Sequence, residues 1–145
     1  MALGREIEDL LAIEVFAVME DAALRDLLFG ADTRLLRAGD VLFRRGETAD
    51  GGYLLTKGSV AVEAGESGRP ADQIVHPVAL LGETAMIAAT KRPATTFARE
   101  PSTVLKIPRS LFHRVLESHP QTALRVRQFF KDRLKDFVEN MKFDP

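Results

Sequence analysis

Between Leu81 and Thr95 the chain carries a glycine, a carboxylate and an arginine at a spacing that suits recognition of an anion and a hydroxyl. The stretch reads Leu81-Gly82-Glu83-Thr84-Ala85-Met86-Ile87-Ala88-Ala89-Thr90-Lys91-Arg92-Pro93-Ala94-Thr95, too apolar for a plain loop. Gly82 allows a sharp turn with positive φ, or a close approach of backbone to a ligand. Thr84 to Ala89 are expected to form one short helical turn. Its early N–H groups would have no partner within the helix and would favour an anion. Arg92, nine residues after Glu83, can return to the same spot and form charge-assisted bonds with a phosphate. Together these groups suit a sugar hydroxyl pair beside a phosphate. A plainer reading stands next to it: Glu83 and Arg92 as a surface ion pair of little energetic weight.

Other chemistries lack their residues. The 145 residues include no cysteine, which excludes disulfides, thiolate metal sites and a cysteine nucleophile. His76, His113 and His119 form no His-x-His pair, so each is read as a packing or surface residue and no metal is expected. No Ser, Asp and His grouping has a nucleophile elbow, so no catalytic residue is assigned. The 20 Lys plus Arg against 21 Asp plus Glu, a formal net charge of -1, argue against a dedicated nucleic-acid binder. No apolar run approaches the ~20 residues of a membrane span, and the acidic start lacks a signal peptide's basic n-region. With 46% apolar and 28% charged residues, the chain is expected to be one cytoplasmic domain with a sizeable core.

The elements that must hold the segment fall into three stretches. Residues 1–32 read as a helical segment, with Ile7, Leu10, Leu11 and Val15 at helical spacing and a second short helix over Ala22–Leu28 that stops near Gly30. Over the first 30 residues seven acidic side chains meet two basic ones. From 33 to 107, short alternating apolar runs are cut by glycines, the signature of a sandwich or barrel. Expected strands are Leu35–Ala38, Val41–Phe43, Tyr53–Leu55, Val60–Val62, Gln73–His76, Thr95–Ala98 and Thr103–Ile107, with Gly65–Asp72 as an exposed hairpin loop. Val60 and Val62 share one face. Residues 108–145 return to helical spacing. One helix starts at Pro108-Arg109-Ser110 and breaks at His119-Pro120; a last one runs from Gln121 to Met141. Its stripe of Ala123, Val126, Phe130, Leu134, Phe137 and Met141 is widened by Phe129 and Val138, which favours a partner: the acidic N-terminal helices, another protein or a second copy. The six basic and three acidic residues over Gln121–Lys142 are read as a solvated face rather than a nucleic-acid surface.

On these residues the chain resembles the cyclic nucleotide-binding domain family. The likeness rests on the Gly82-Glu83 pair, the Glu83-to-Arg92 spacing, the Gly39-Asp40 turn, the Phe43-Arg44-Arg45-Gly46-Glu47 run and the Tyr53-Leu54-Leu55-Thr56-Lys57-Gly58 hairpin, and extends over about residues 14–138. It implies an eight-stranded jelly-roll-like β-barrel (a double-stranded β-helix) flanked by N-terminal helices and C-terminal lid helices, all one domain, with a phosphate-binding cassette at 81–95. It implies that Glu83 accepts from the ribose 2′-hydroxyl and that Gly82 and Ala85 offer backbone amides. It further implies that Arg92 pairs with the exocyclic phosphate and that Val62 lines the base pocket. Leu81, Thr84, Pro93, Ala94 and Thr95 complete the expected ligand-binding set.

The chain departs from the family at Pro93, where Ala, Ser or Thr normally offers a backbone N–H that proline lacks. Pro93 also lacks the hydroxyl that some guanine-selective relatives carry there. Ala94 N–H or the Thr95 hydroxyl is the expected substitute, and Lys91 adds a second positive charge. The implied function is a non-enzymatic receptor for cAMP ahead of cGMP, with no cofactor. A hinge over Pro108–Pro120 would let the last helix close over the base. Transcription-factor relatives place a DNA-binding helix pair after that helix; here the residues end first, so direct nucleic-acid contact is not expected. Two rivals remain: a scaffold that keeps the barrel without binding nucleotide, and a metal-dependent barrel enzyme, for which no three-ligand set is found.

Overall fold

The computed structural model describes residues 8–63 and 73–142, with side chains throughout except at 137 and 140–142. Two compact units make up the chain: residues 27–113, and residues 1–26 with 114–145. Elements follow in the order α1 (Glu14–Ala17), α2 (Asp21–Gly30), β1 (Asp32–Leu36), β2 (Val41–Phe43), β3 (Thr48–Ala49), β4 (Gly51–Lys57) and β5 (Val60–Glu63). Next come β6 (Gln73–Val75), β7 (Ala79–Leu81), a 3-10 turn at Glu83–Met86, β8 (Thr90–Lys91), β9 (Thr95–Ala98), β10 (Ser102–Pro108), α3 (Arg109–Ser118) and α4 (Pro120–Lys142).

The larger unit holds two four-stranded antiparallel sheets, ordered β1-β10-β4-β7 and β2-β9-β5-β6, and a two-stranded ribbon of β3 and β8. This is the jelly-roll-like arrangement. Alternation along each strand turns one face inward. Tyr53 and Leu55 of β4, Val104 of β10 and Val60 of β5 form the buried centre between the sheets, with Leu36, Leu42, Phe43, Val75 and Leu81 packed against it. Each fully buried aliphatic side chain contributes about 1.5–3 kcal/mol.

The other unit is helical. Thr122, near the start of α4, accepts from the Glu20 backbone N–H at 3.0 Å and donates to Glu20 Oε1 at 3.1 Å. His119 meets Asp26 at 2.7 Å and Arg133 meets Glu14 at 2.8 Å, so the acidic opening and the basic last helix face each other within this unit. Pro120 occupies the first turn of α4, where its missing N–H leaves no helical bond unmade.

Several expectations need correction. The two four-stranded sheets supply the eight strands expected, and among the described residues the β3–β8 ribbon, too short to carry an alternation signal, is an addition to them. Leu81, expected to open a non-strand segment, instead ends β7, which pairs with Leu55–Tyr53. Pro108 ends β10 opposite Gly51 instead of opening α3. The helical turn covers 83–86 as a 3-10 helix, not 84–89. Leu11 lies on the exposed side, whereas Leu10 and Val15 are buried. The last helix's stripe is divided: Val126 is buried, Ala123 and Phe130 are half-buried, and Leu134 is 63% exposed. Ile7, the Gly65–Asp72 loop and the side chains of Phe137 and Met141 lie outside what the structure describes.

Candidate functional site

Arg92 lies at the centre of the site. The β3–β8 ribbon brings it there: Thr48 pairs with Lys91 and Ala49 with Thr90. The Arg92 backbone then donates to Glu47 O and accepts from Gly46 N, each at 2.8 Å. Its side chain is 5% exposed. The guanidinium lies 4.3 Å from the centroid of the Phe43 ring and 5.5 Å from that of Tyr53, with the two rings 5.9 Å apart. Nη2 donates to Gly51 O at 2.7 Å. A guanidinium has five N–H donors, and this is its one hydrogen bond to the described residues. None of the ion pairs among those residues involves it. Burial pushes its pKa down, while Tyr53, Asp50 and Glu47 pull the other way. A nearly buried cation without a carboxylate partner is expensive to hold, unless an anion completes it.

Gly82 is built for this neighbour. It sits at φ 78°, in the left-handed region, at the entry to the 3-10 turn. A Cβ there would lie 2.3 Å from Arg92 Nη1, so the missing side chain makes room for the guanidinium. Glu83, the next residue, is half-buried and has an interaction partner. The glycine bend and Arg92, ten residues on, therefore meet at one spot.

Strand register sets the remaining walls. In one sheet Leu81 and Lys106 flank Tyr53. In the other, Thr96 lies between Phe43 and Val62. Val62 thus shares the inward face and level of the ring that stacks on Arg92. Asp50 accepts from Lys106 Nζ at 3.2 Å. Burial would push the Asp50 carboxyl up, but the Lys106 hydrogen bond and charge, a backbone bond and the charge of Arg92 outweigh it and hold it below its ordinary range.

The cassette's backbone is arranged differently from the expectation. Ala85 N–H, expected to face an anion, donates to Gly82 O at 3.1 Å, because the tight 3-10 turn closes on that carbonyl. Thr84 and Pro93 are exposed and Ala94 is buried. Thr95 Oγ1 accepts from Arg45 N–H at 3.0 Å. Phe43, Tyr53 and Gly51 belong to the site, although the sequence assigns them no role there. Phe43 and Tyr53 stood inside motifs already noted, and the Gly51-Gly52 pair was a signal of close backbone approach.

A family model for the cyclic nucleotide-binding domain matches residues 33–119. The chain belongs to this family. Among solved structures, the cyclic nucleotide-binding-like protein of Brucella abortus bv. 1 str. 9-941 is 39% identical, with a TM-score of 0.70 over 77% of this chain and 97% of that one. The N-terminal domain of a transcriptional regulator from Streptomyces coelicolor A3(2) is 26% identical, with a TM-score of 0.79 over 88% of this chain and 90% of that one. Among curated proteins, Lysophospholipase nte1 of Aspergillus fumigatus is 30% identical over 107 residues, which is 72% of this chain and 7% of that enzyme. The chain therefore corresponds to a small part of those lysophospholipases. A cyclic nucleotide-binding domain is a binding and sensing module, and its fold is typically regulatory. Among the described residues no helix is long and apolar enough to cross a membrane, and no cluster of candidate metal ligands occurs.

Proposed function

We propose that this chain is a non-enzymatic, cytoplasmic receptor domain for a cyclic nucleotide, cAMP ahead of cGMP, whose last helix closes over the ligand and is read by another chain. The Arg92 guanidinium carries this reading: a nearly buried cation, seated on Phe43 and bonded among the described residues only to Gly51 O, has donors to spare for a phosphate. Glu83, directly after the bend that holds Arg92, takes the ribose hydroxyl. Leu81, Val62 and the inward face around Tyr53 receive the apolar parts of the ligand. The absence of a hydroxyl at position 93 favours adenine over guanine. Ligand moves the last helix only by binding the closed form better than the open one.

Calorimetric titration with cAMP and cGMP tests the reading. The expected result is saturable binding, tighter for cAMP. Arg92→Ala should abolish most of it, and Glu83→Ala should weaken it by roughly ten- to a hundredfold, as for a lost charge-assisted hydrogen bond of about 1.5–3 kcal/mol. No heat with either nucleotide at millimolar ligand, in protein shown to be folded, would overturn the receptor reading. That result would favour the scaffold, to which two observations lean: Pro93 has no N–H, and Ala85 N–H is already used by Gly82 O.

A further inference from the structure

Three backbone segments meet at near-contact beside Arg92. A Cβ on Gly51 would lie 2.2 Å from Ile107 O and 2.8 Å from Pro108 Cα, and one on Gly52 would lie 3.1 Å from Met86 Cγ and 3.3 Å from Gly82 O. The two glycines thus let the start of β4 pass between the cassette turn on one side and the β10–α3 junction on the other. One residue ties all three together. Arg109, the first residue of α3, donates its backbone N–H to Asp50 O at 2.7 Å, Nη2 to Ala49 O at 2.7 Å and Nε to Ala85 O at 3.1 Å. The next carbonyl along, Gly51 O, is the one that holds Arg92. Arg109 pairs with no carboxylate among the described residues' ion pairs, so its charge is spent on carbonyl oxygens alone.

We infer that Arg109 is the positioning residue through which occupancy of the Arg92 seat reaches helix α3. An anion that draws Arg92 away from Gly51 O, or shifts the 83–86 turn, changes the position of the Ala49, Asp50 or Ala85 carbonyls. The fork of Arg109 is bonded to the Ala49 and Ala85 carbonyls and its backbone N–H to that of Asp50, and the residue is part of the helix itself. A planar guanidinium keeps its donors in one fixed geometry, so it passes on such a shift where a flexible ammonium would absorb it. The proposal rests on the receptor reading for its ligand, but its geometry does not.

The test is hydrogen exchange of the α3 amides of residues 113–118 in the intact chain, with and without saturating cAMP. The unsubstituted protein should show a cAMP-dependent change both in the cassette and in α3. In Arg109→Met the cassette should still respond and cAMP affinity should change by less than about threefold, while the α3 response disappears; Arg109→Lys should keep only part of it. A helix that merely needed Arg109 for stability would exchange faster in both states, with its ligand-dependent difference intact. That difference surviving in Arg109→Met, or in Arg109→Lys at full size should the first variant not fold, would overturn the proposal. A ligand-free arm separates the two ideas. Arg92→Ala removes the bond to Gly51 O and should alter α3 exchange in the native background, only in part together with Arg109→Lys and not at all together with Arg109→Met. Should the native protein take up neither nucleotide, the receptor reading fails, and this arm alone decides Arg109: equal effects of Arg92→Ala in both backgrounds would sink it.

Discussion

A guanidinium with one hydrogen bond and two aromatic neighbours among the described residues is held at the expense of the ligand-free fold. The sign follows from its lowered pKa: a base whose folded pKa lies below its unfolded one is worse off protonated in the native state, so it opposes folding at neutral pH. Arg92→Met keeps the bulk and removes the charge. Its thermal midpoint without ligand should be no lower than that of the native protein, while any rise on adding cAMP is lost; a marked fall would show that the bond to Gly51 O outweighs the buried charge. Pro93 is the second residue to test. It is exposed and offers no N–H. The Thr95 oxygen already accepts from Arg45, so the substitute expected there is partly occupied. Pro93→Ala should tighten cAMP binding by roughly ten- to a hundredfold, the worth of one charge-assisted bond of about 1.5–3 kcal/mol. Unchanged affinity in calorimetry would mean that position 93 does not face the phosphate.

Among the elements, the 3-10 turn and the β3–β8 ribbon decide where these residues lie. Gly82 at φ 78° enters the turn, and a Cβ would meet Arg92 Nη1. Gly82→Ala therefore combines a left-handed backbone penalty of about 1–2 kcal/mol with displacement of the guanidinium. Gly46, at φ 88° with open space around its absent Cβ, supplies the control. Denaturant unfolding should show a similar backbone loss for Gly46→Ala, and only Gly82→Ala should also lose nucleotide binding. The glycine bend was readable from sequence because its requirement is local: one residue type tolerates that φ. Strands flanked by clear turn residues were readable for the same reason, since β2 and β9 have the bounds the sequence indicated. The ribbon was not, because two residues carry no period, and β7 was hidden behind Pro77 in a run too short to distinguish from a turn. The Ala85 amide is similar. Composition suggests a helical turn but not that it winds tightly enough to use its own first carbonyl.

For the whole molecule, Leu134 at 63% and Val138 at 43% exposure give α4 an uncovered apolar edge beyond its anchored start. Its width in the sequence had suggested a partner, and a second copy is the simplest one. Sedimentation should show a concentration-dependent mass that Leu134→Glu abolishes while leaving the unfolding midpoint unchanged. A single monomeric species at all concentrations would leave that edge to a different protein. The family, the sheet-rich middle and the meeting of Gly82 with Arg92 were all present in residue types and spacing, since each depends on local conformation or on a short stretch of chain. The aromatic seat was not. Phe43 and Tyr53 stand 49 and 39 positions before Arg92 in the numbering, and only the pairing of strands far apart in the chain brings their rings to the guanidinium. The same holds for Arg109, whose three carbonyl partners come from two segments that meet because Gly51 and Gly52 have no side chains to keep them apart. Long-range register decides such meetings, and register is a property of the folded sheets.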